Sequence, residues 1–554
     1  MTRNAFSFLL LFLFIGLYLA PLGQRPLIIP DETRYAEIPR EMVATGDWTV
    51  PRINGGRYFE KPVLGYWLTA ISLTVFGENN FAVRFPQAAS TGLTALLVFL
   101  LCMQVKRNDT WFPWLAALIY LTSLSVLGIG TFAVLDPLFS FFLSGCLILF
   151  FLAAEKIPGS NSERIFLFAA GILAGLAFLT KGFLACAIPV LVVAPYLLIR
   201  KRPRDMVRMV WIPILGAVLV SLPWCIRIYL REPDFWHFFF WNEHIRRFLS
   251  ENAQHRHPFW IFAASLPGMF LPWTLLFPSA LIGLRKKQWK NWAEYRLYLF
   301  CCCWFFLPFL FFSLSKGKLV TYILPCFPPL AVLFALGLDH ILRNRRIKHF
   351  FQHSVAIAAL LVFLALVTLV ELYFFWPENY SLFRHTYQWL LLGSTFSVML
   401  ILLFVTFRAK NMLKKTVLFS FAFTILFVMV NFTLPDLTLQ RKAPGELIRR
   451  NARFIKPDTF VLAGEQAVRA VCWYLKRHDV LMIERAGELR YGLKYEDSNR
   501  SLLSPHEAAM LIKKHPGRVV LIADTNQYKQ WKHLLPSPVS IDSNGKEGYL
   551  LLTY

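Results

Sequence analysis

Runs of about twenty apolar residues recur along the chain between short polar loops, and that spacing predicts membrane-spanning helices. About thirteen spans can be drawn by this length rule, near 5–24, 84–105, 111–129, 132–153, 165–180, 183–199, 208–226, 258–283, 296–314, 319–341, 350–374, 389–407 and 413–431. Three segments break the alternation. Residues 25–83 form a long first loop, within which "VLGYWLTAISLTVFG" (63–77) is apolar but too short to span, as suits a helix lying in the interface. Residues 227–257 mix aromatics with charges and place Trp236, Phe239, Phe240 and Glu243 at rough helical spacing, which predicts a second interfacial helix. From 435 to 554 the pattern changes to short β-branched runs, "TFVLAG", "DVLMIE" and "RVVLIA", alternating with helical stretches such as "QAVRAVCWYLKR" and "SPHEAAMLIKKH". The predicted fold class is a polytopic α-helical membrane protein of about thirteen spans (residues 1–434) with interfacial helices, followed by a small α/β domain (435–554) with a partly parallel sheet.

Composition supports the membrane reading. The 554 residues are 56% hydrophobic and 16% charged, against roughly 25% charged in soluble domains. The first run lacks a charged leader and a clear small-residue cleavage site, so it reads as a retained span. A net charge of +25 raises the question of nucleic acid, but the basic residues cluster in short loops: "KRND" near 106, "RKRPRDMVR" at 200–208, "LRKKQWK" at 284–290, "LRNRRIKH" at 342–349 and "RAKNMLKK" at 408–415. With a cytoplasmic N-terminus all five fall on the cytoplasmic side, which is the positive-inside pattern and argues against a nucleic-acid partner. An odd span count then puts the tail, and the two interfacial segments, on the non-cytoplasmic face. The nine cysteines form no disulfide framework.

Ionisable residues beside a bilayer are functional candidates, and five groups on the non-cytoplasmic face qualify. In "PDETRYAEIPREM" (30–42), Asp31 follows Pro30 where a helix should start; it reads equally as an N-cap or as a reactive acid. Glu37 and Glu41 would pair with Arg34 and Arg40 at helical spacing. "GGRYFEKP" (55–62) brings Arg57, Tyr58, Glu60 and Lys61 together after a glycine turn, and Lys with Arg at headgroup depth suits a phosphate. Asp136 precedes Pro137, again in N-cap position. Lys316, Lys318 and Tyr322 lie in "SLSKGKLVTYILP", where snorkelling lysines are the plain alternative. Glu243, His244, Arg246, Arg247, His255 and His257 complete the set, at a spacing that matches no strong zinc pattern.

Taken together, "DETRYAE", "FEKPVLGYW", "LDPL", "TKG" and "KLVTYILP" resemble the lipid A 4-amino-4-deoxy-L-arabinose transferases. These are undecaprenyl-phosphate-dependent, C-type (GT-C) integral membrane glycosyltransferases of Gram-negative inner membranes, similar to the protein O-mannosyltransferases. The resemblance covers essentially the whole chain. It implies a donor of 4-amino-4-deoxy-L-arabinose on undecaprenyl phosphate, a lipid A phosphate as acceptor, reaction at the periplasmic face with inversion, and resistance to polymyxin and other cationic peptides. On that reading Asp31, Asp136 and Lys61 are the catalytic candidates. Lys61, with Arg57 and Arg246 or Arg247, would stabilise the departing phosphate; Tyr58 and Tyr322 would donate hydrogen bonds to it. Glu32, Arg34, Lys181, Lys316 and Lys318 join the substrate-binding set. Glu60 with His255 or His257 is the one combination offered for a divalent metal. The alternatives are a related transferase using another sugar or a protein acceptor, and, in another class, a lipid transporter or flippase. A transporter tends to carry inverted repeats and mid-membrane charges, neither of which the sequence shows.

Overall fold

Apolar helices carry most of the chain in the computed structural model, which describes residues 3–107, 109, 111–246, 257–289, 291–343, 349–375, 382–495, 497–498 and 501–554. The chain packs as two compact units: residues 1–21, 87–378 and 387–431 form one, and residues 22–86, 379–386 and 432–554 the other. Composition drew a boundary near 434. Packing instead groups the first loop with the tail, where Arg34, Asn54 and Tyr58 of the loop find partners in Glu488 and Val480.

Among the described residues of the chain, eight helices are long and apolar enough to cross a membrane, and up to ten if each of two bent pairs counts as one span. The bent pairs differ from the straight spans expected at 111–129 and 258–283. Trp111–Leu121 and Leu124–Gly130 meet at 62°, and Ile261–Met269 and Trp273–Lys286 at 94°. A broken helix in an apolar medium must satisfy its freed backbone groups, and here the two breaks help one another. Thr122 and Ser123 donate their hydroxyls back to the carbonyls of Leu118 and Ile119. The Leu124 N–H donates to the Leu271 carbonyl at 2.8 Å, and the Trp273 indole donates to Thr122 Oγ1 at 3.0 Å.

Elsewhere in this unit small residues let helices touch backbone to backbone, as is common in membranes. A Cβ at Gly171 would lie 2.1 Å from the Pro213 carbonyl oxygen, so the helices Asn161–Lys181 and Trp211–Arg231 cross at a distance only glycine allows. The basic loops are also tied down by acids. Lys106 reaches Asp339 at 3.2 Å and Glu294 at 3.5 Å, Lys287 pairs with Glu294 at 2.9 Å, Arg296 pairs with Glu155 at 2.9 Å, and Arg343 bridges Asp109 and Asp339. Part of the basic excess therefore braces helix ends.

The second unit contains a six-stranded sheet in the order Leu502–Leu503, Leu481–Ile483, Phe460–Ala463, Val519–Asp524, Tyr549–Thr553, Ser540–Ser543. The first four strands run parallel and the last two join antiparallel. One face is closed by Ala508, Ala509 and Ile512 of the helix Pro505–Lys514, together with Tyr528 and Trp531, over Leu462, Leu521 and Leu552. That helix starts with a full capping box between Ser504 and Glu507. The first loop contributes the helices Asp31–Thr45 and Leu64–Phe76, the latter being the short apolar segment expected at 63–77. Between them lies a two-residue hairpin, Arg52–Ile53 with Gly56–Arg57. Asn54 and Gly55, with φ of 53° and 73°, form its turn as Asn-Gly pairs do in hairpins.

Candidate active site

The helix Asp31–Thr45 distributes its charges over three separate tasks. Asp31 is its first residue and Pro30 stands in the cap position with no side-chain cap bond, so the N-cap reading of Asp31 does not hold. Its carboxylate, 45% exposed, pairs instead with Arg34 at 2.9 Å. Glu32 points inward with no exposure. It accepts from Arg25 at 2.6 and 3.1 Å, from Arg84 at 2.7 and 2.8 Å, and from the Ile28 N–H at 2.9 Å. Five donors leave that carboxylate no room for a substrate, which corrects its assignment as a binding residue. Burial works to raise its pKa, but Arg84 and Arg25 overcome this and hold it at about 2. Arg84 in turn spends its remaining N–H groups on the carbonyls of Leu22, Arg25 and Pro26.

Further along, Arg40 holds Glu37 at 2.6 and 2.7 Å as the spacing suggested, whereas Glu41 turns to the N–H groups of Asn54 and Gly55. Asn54 then exchanges two hydrogen bonds with the Val480 backbone. Burial pushes both Glu37 and Glu41 above the usual carboxylate range, since Arg40 offsets only part of the cost.

Arg34 itself is buried and opens a second charged cluster. Its Nη2 lies 3.4 Å from Glu488 Oε2. The Tyr58 hydroxyl donates to the same oxygen at 3.3 Å, and Arg469 Nη2 does so at 2.9 Å. Burial would raise the Glu488 carboxyl, but Arg34 and Arg469 hold it below its ordinary value. Burial also keeps the Tyr58 phenol neutral and able to donate. Lys61 is half-buried, donates to the Glu60 carbonyl at 2.8 Å and adds to the field at Glu488. Arg57 goes elsewhere. It forks Asp497 at 2.7 and 2.8 Å and stacks over Tyr495 at 4.1 Å, where Asp497 is half exposed. That geometry ties Arg57 to Asp497 and Tyr495 rather than to Glu488.

In the other unit, Asp136 opens the helix Asp136–Ala154 with Leu135 as its cap, one residue off the expected N-cap position. Lys181 closes the helix Asn161–Lys181, and its ammonium meets Asp136 Oδ1 at 2.7 Å. The same ammonium lies 5.2 Å from the Tyr322 ring centroid, within cation–π reach. Asp136, Lys181 and Tyr322 are thus one cluster. Lys318 is buried and donates to the His257 carbonyl at 2.9 Å, so it does not snorkel. Lys316 and Lys318 line an open cleft of about 510 Å³ with His257, Ser313 and Ser315.

The described part of the segment expected at 227–257 is helical, with Asp234–His237 continuing into a wide π-helix, Phe238–Arg246. Arg247 and His255 lie outside the described residues. His257 is exposed, and Glu60 is buried in the unit that holds Lys61. Among the described residues no group of three or more His, Cys, Asp or Glu side chains is placed to hold a metal ion.

Residues 4–239 match the family described as dolichyl-phosphate-mannose-protein mannosyltransferase, and residues 439–552 match the arabinosyl transferase ArnT C-terminal domain. An undecaprenyl phosphate-alpha-4-amino-4-deoxy-L-arabinose arabinosyl transferase of Aeromonas hydrophila is 39% identical over 506 residues, 90% of this chain and 89% of that protein. The protein of the same name from Shewanella sediminis is 37% identical over 544 residues, 98% of this chain and 96% of its own length.

The chain belongs to this family of aminoarabinosyl transferases.

The crystal structure of ArnT from Cupriavidus metallidurans bound to undecaprenyl phosphate shares the fold, with a TM-score of 0.78 and 23% identity, covering 99% of this chain and 97% of that one. The polytopic GT-C fold expected from the sequence is therefore the fold observed, and the aminoarabinosyl transferase family to which the chain belongs is one of glycosyltransferases. Sequence reasoning missed Arg25, Arg84, Arg469 and Glu488. The first two are lone arginines in apolar surroundings, a signal that was present. The last two sit in the tail, whose sequence carries no motif pointing to the first loop.

Proposed function

We propose that the protein transfers 4-amino-4-deoxy-L-arabinose from undecaprenyl phosphate to a phosphate of lipid A, with inversion, at the periplasmic face of the inner membrane. The observation that carries this reading is the 39% identity over nine-tenths of the chain to an aminoarabinosyl transferase. The clustering of Lys and Arg in the short loops near 106 and at 200–208, 284–290, 342–349 and 408–415 supports the orientation in which the first loop and the tail are periplasmic.

The residues supply what such a reaction needs. The leaving group is a polyprenyl phosphate whose charge grows as the glycosidic bond breaks, and preorganised cations and donors aimed at that charge lower the barrier. Arg34, Lys61 and the neutral Tyr58 phenol are of that kind, in one cluster. The acceptor phosphate is ionised near neutral pH, so no strong general base is required. Asp31, exposed enough to meet a ligand and ion-paired to Arg34, suits orientation of the acceptor and stabilisation of an oxocarbenium-like sugar. The ammonium of the donor sugar gives Asp136 or Asp31 a further partner. Lys181 holds Asp136 in place, which makes it a positioning residue for that acid. Mass spectrometry of lipid A from cells with and without the protein tests the reading. Gain of one aminoarabinose per modified phosphate is expected, and unchanged lipid A would refute it.

A further inference from the structure

Glu488 enters the Arg34 cluster from the C-terminal domain, on the short helix Gly487–Lys494. Among the described residues, three donors converge on one of its oxygens, Oε2: Tyr58 Oη at 3.3 Å, Arg469 Nη2 at 2.9 Å and Arg34 Nη2 at 3.4 Å. Two guanidiniums and a phenol around one oxygen is the environment a phosphate oxygen would have. Donor capacity nevertheless exceeds what the carboxylate uses. Among the described residues, the Nε groups of Arg34 and Arg469 and the hydroxyl of Tyr66 are buried without a hydrogen-bond partner; Tyr66 stacks at 5.9 Å on Tyr35, whose ring centroid lies 5.6 Å from the Arg34 guanidinium. Buried donors without acceptors are costly and call for an acceptor-rich ligand.

On the donor reading above, that ligand is the polyprenyl phosphate, and it must share Arg34 with two resident carboxylates, the half-exposed Asp31 at 2.9 Å and the more buried Glu488 at 3.4 Å. The donor is a phosphodiester with one negative charge. The product is a monoester whose second ionisation has a pKa of about 6, so it departs carrying close to two. A purely cationic site would hold product more firmly than donor and would release it slowly. Repulsion from a fixed carboxylate scales with the charge of the incoming group, so it weakens the dianion more than the monoanion.

We propose that Glu488 is an internal counter-anion which, acting through Arg34, limits affinity for the released polyprenyl phosphate and thereby sustains turnover. It is a positioning residue supplied by the C-terminal domain. A mere structural tie between tail and first loop predicts the opposite sign, because its removal would loosen the site and weaken binding.

The test uses the purified full-length protein and undecaprenyl phosphate itself as the probe. Glu488→Gln is expected to bind undecaprenyl phosphate on the order of 10-fold tighter than wild type at pH 7.5, with steady-state kcat and donor KM falling together and the single-turnover rate close to wild type. The gain in affinity should shrink at pH 5.5, where the product loses its second charge, and Glu488→Asp should behave as wild type. Weaker or unchanged binding by Glu488→Gln overturns the proposal, as does a single-turnover rate that falls with thermal stability. Binding of undecaprenyl phosphate needs no sugar. Failure of the aminoarabinose reading would appear separately, as absence of transfer by the wild-type protein.

Discussion

Glu32 accepts from five donors with no exposure, and removing its charge would leave Arg25 and Arg84 buried without a counter-ion. Breaking a buried pair in this way costs about 3–5 kcal/mol. Glu32→Gln is therefore expected to lower the thermal unfolding temperature and the yield of folded protein, with any surviving protein retaining its donor KM. Asp31 and Lys61 should behave differently. Lys61→Ala is expected to lower kcat/KM for the donor by roughly 10²–10³ at unchanged stability, as loss of a charge-stabilising group does. Asp31→Asn should reduce transfer by about 10-fold to 100-fold and leave a measurable rate, because an ionised acceptor needs no obligatory base. A transfer assay with each variant beside a melting curve separates the two kinds of effect. At this scale the sequence showed that the charges of residues 30–42 were unusual beside lipid, and Asp31, Arg34, Tyr58 and Lys61 could be picked out. It could not show that neighbouring Glu32 is consumed by Arg84, since that pairing crosses 52 positions of chain.

Helix positions were legible wherever an apolar period ran long enough, and a turn was legible at Gly55 and Gly56, although it falls one residue earlier, at Asn54–Gly55, with Gly56 in the second strand. The bends at Thr122–Ser123 and at Leu271–Trp273 were not legible, because two small hydroxyl residues and one proline also occur in unbroken spans, and what fixes these breaks is hydroxyl, indole and backbone partners far apart in sequence. The final antiparallel pair of the sheet also escaped notice, although Asn544 and Gly545 mark the connection between Ser540–Ser543 and Tyr549–Thr553. Close packing gives the element scale its test. Gly171→Leu would place atoms where the Pro213 carbonyl stands and force two helices apart. A loss of about 1–3 kcal/mol follows from overpacking of this kind. A lower melting temperature and a broadened size-exclusion profile are the expected readouts, and wild-type melting would contradict the crossing described.

For the whole molecule, acid and neutral limbs of stability should arise from different residues of the loop-and-tail unit. Glu32 has a folded pKa of about 2 against an ordinary 4.5, so its stabilisation is present above pH 4.5 and is lost as the pH falls towards 2. Glu37 and Glu41 are shifted upward, so their contribution is complete below pH 4.5 and declines as the pH rises through their folded values. The melting temperature is expected to be highest in mildly acidic solution, and Glu37→Gln should flatten the neutral limb alone. The central claim is the transfer itself, and it is tested most directly by reconstituting the purified protein with undecaprenyl-phosphate-linked aminoarabinose and lipid A and analysing both lipids by mass spectrometry. Aminoarabinose on a lipid A phosphate, with undecaprenyl phosphate released in equal amount, is the expected result. Unmodified lipid A with the donor intact, or the sugar attached to another acceptor, would contradict it.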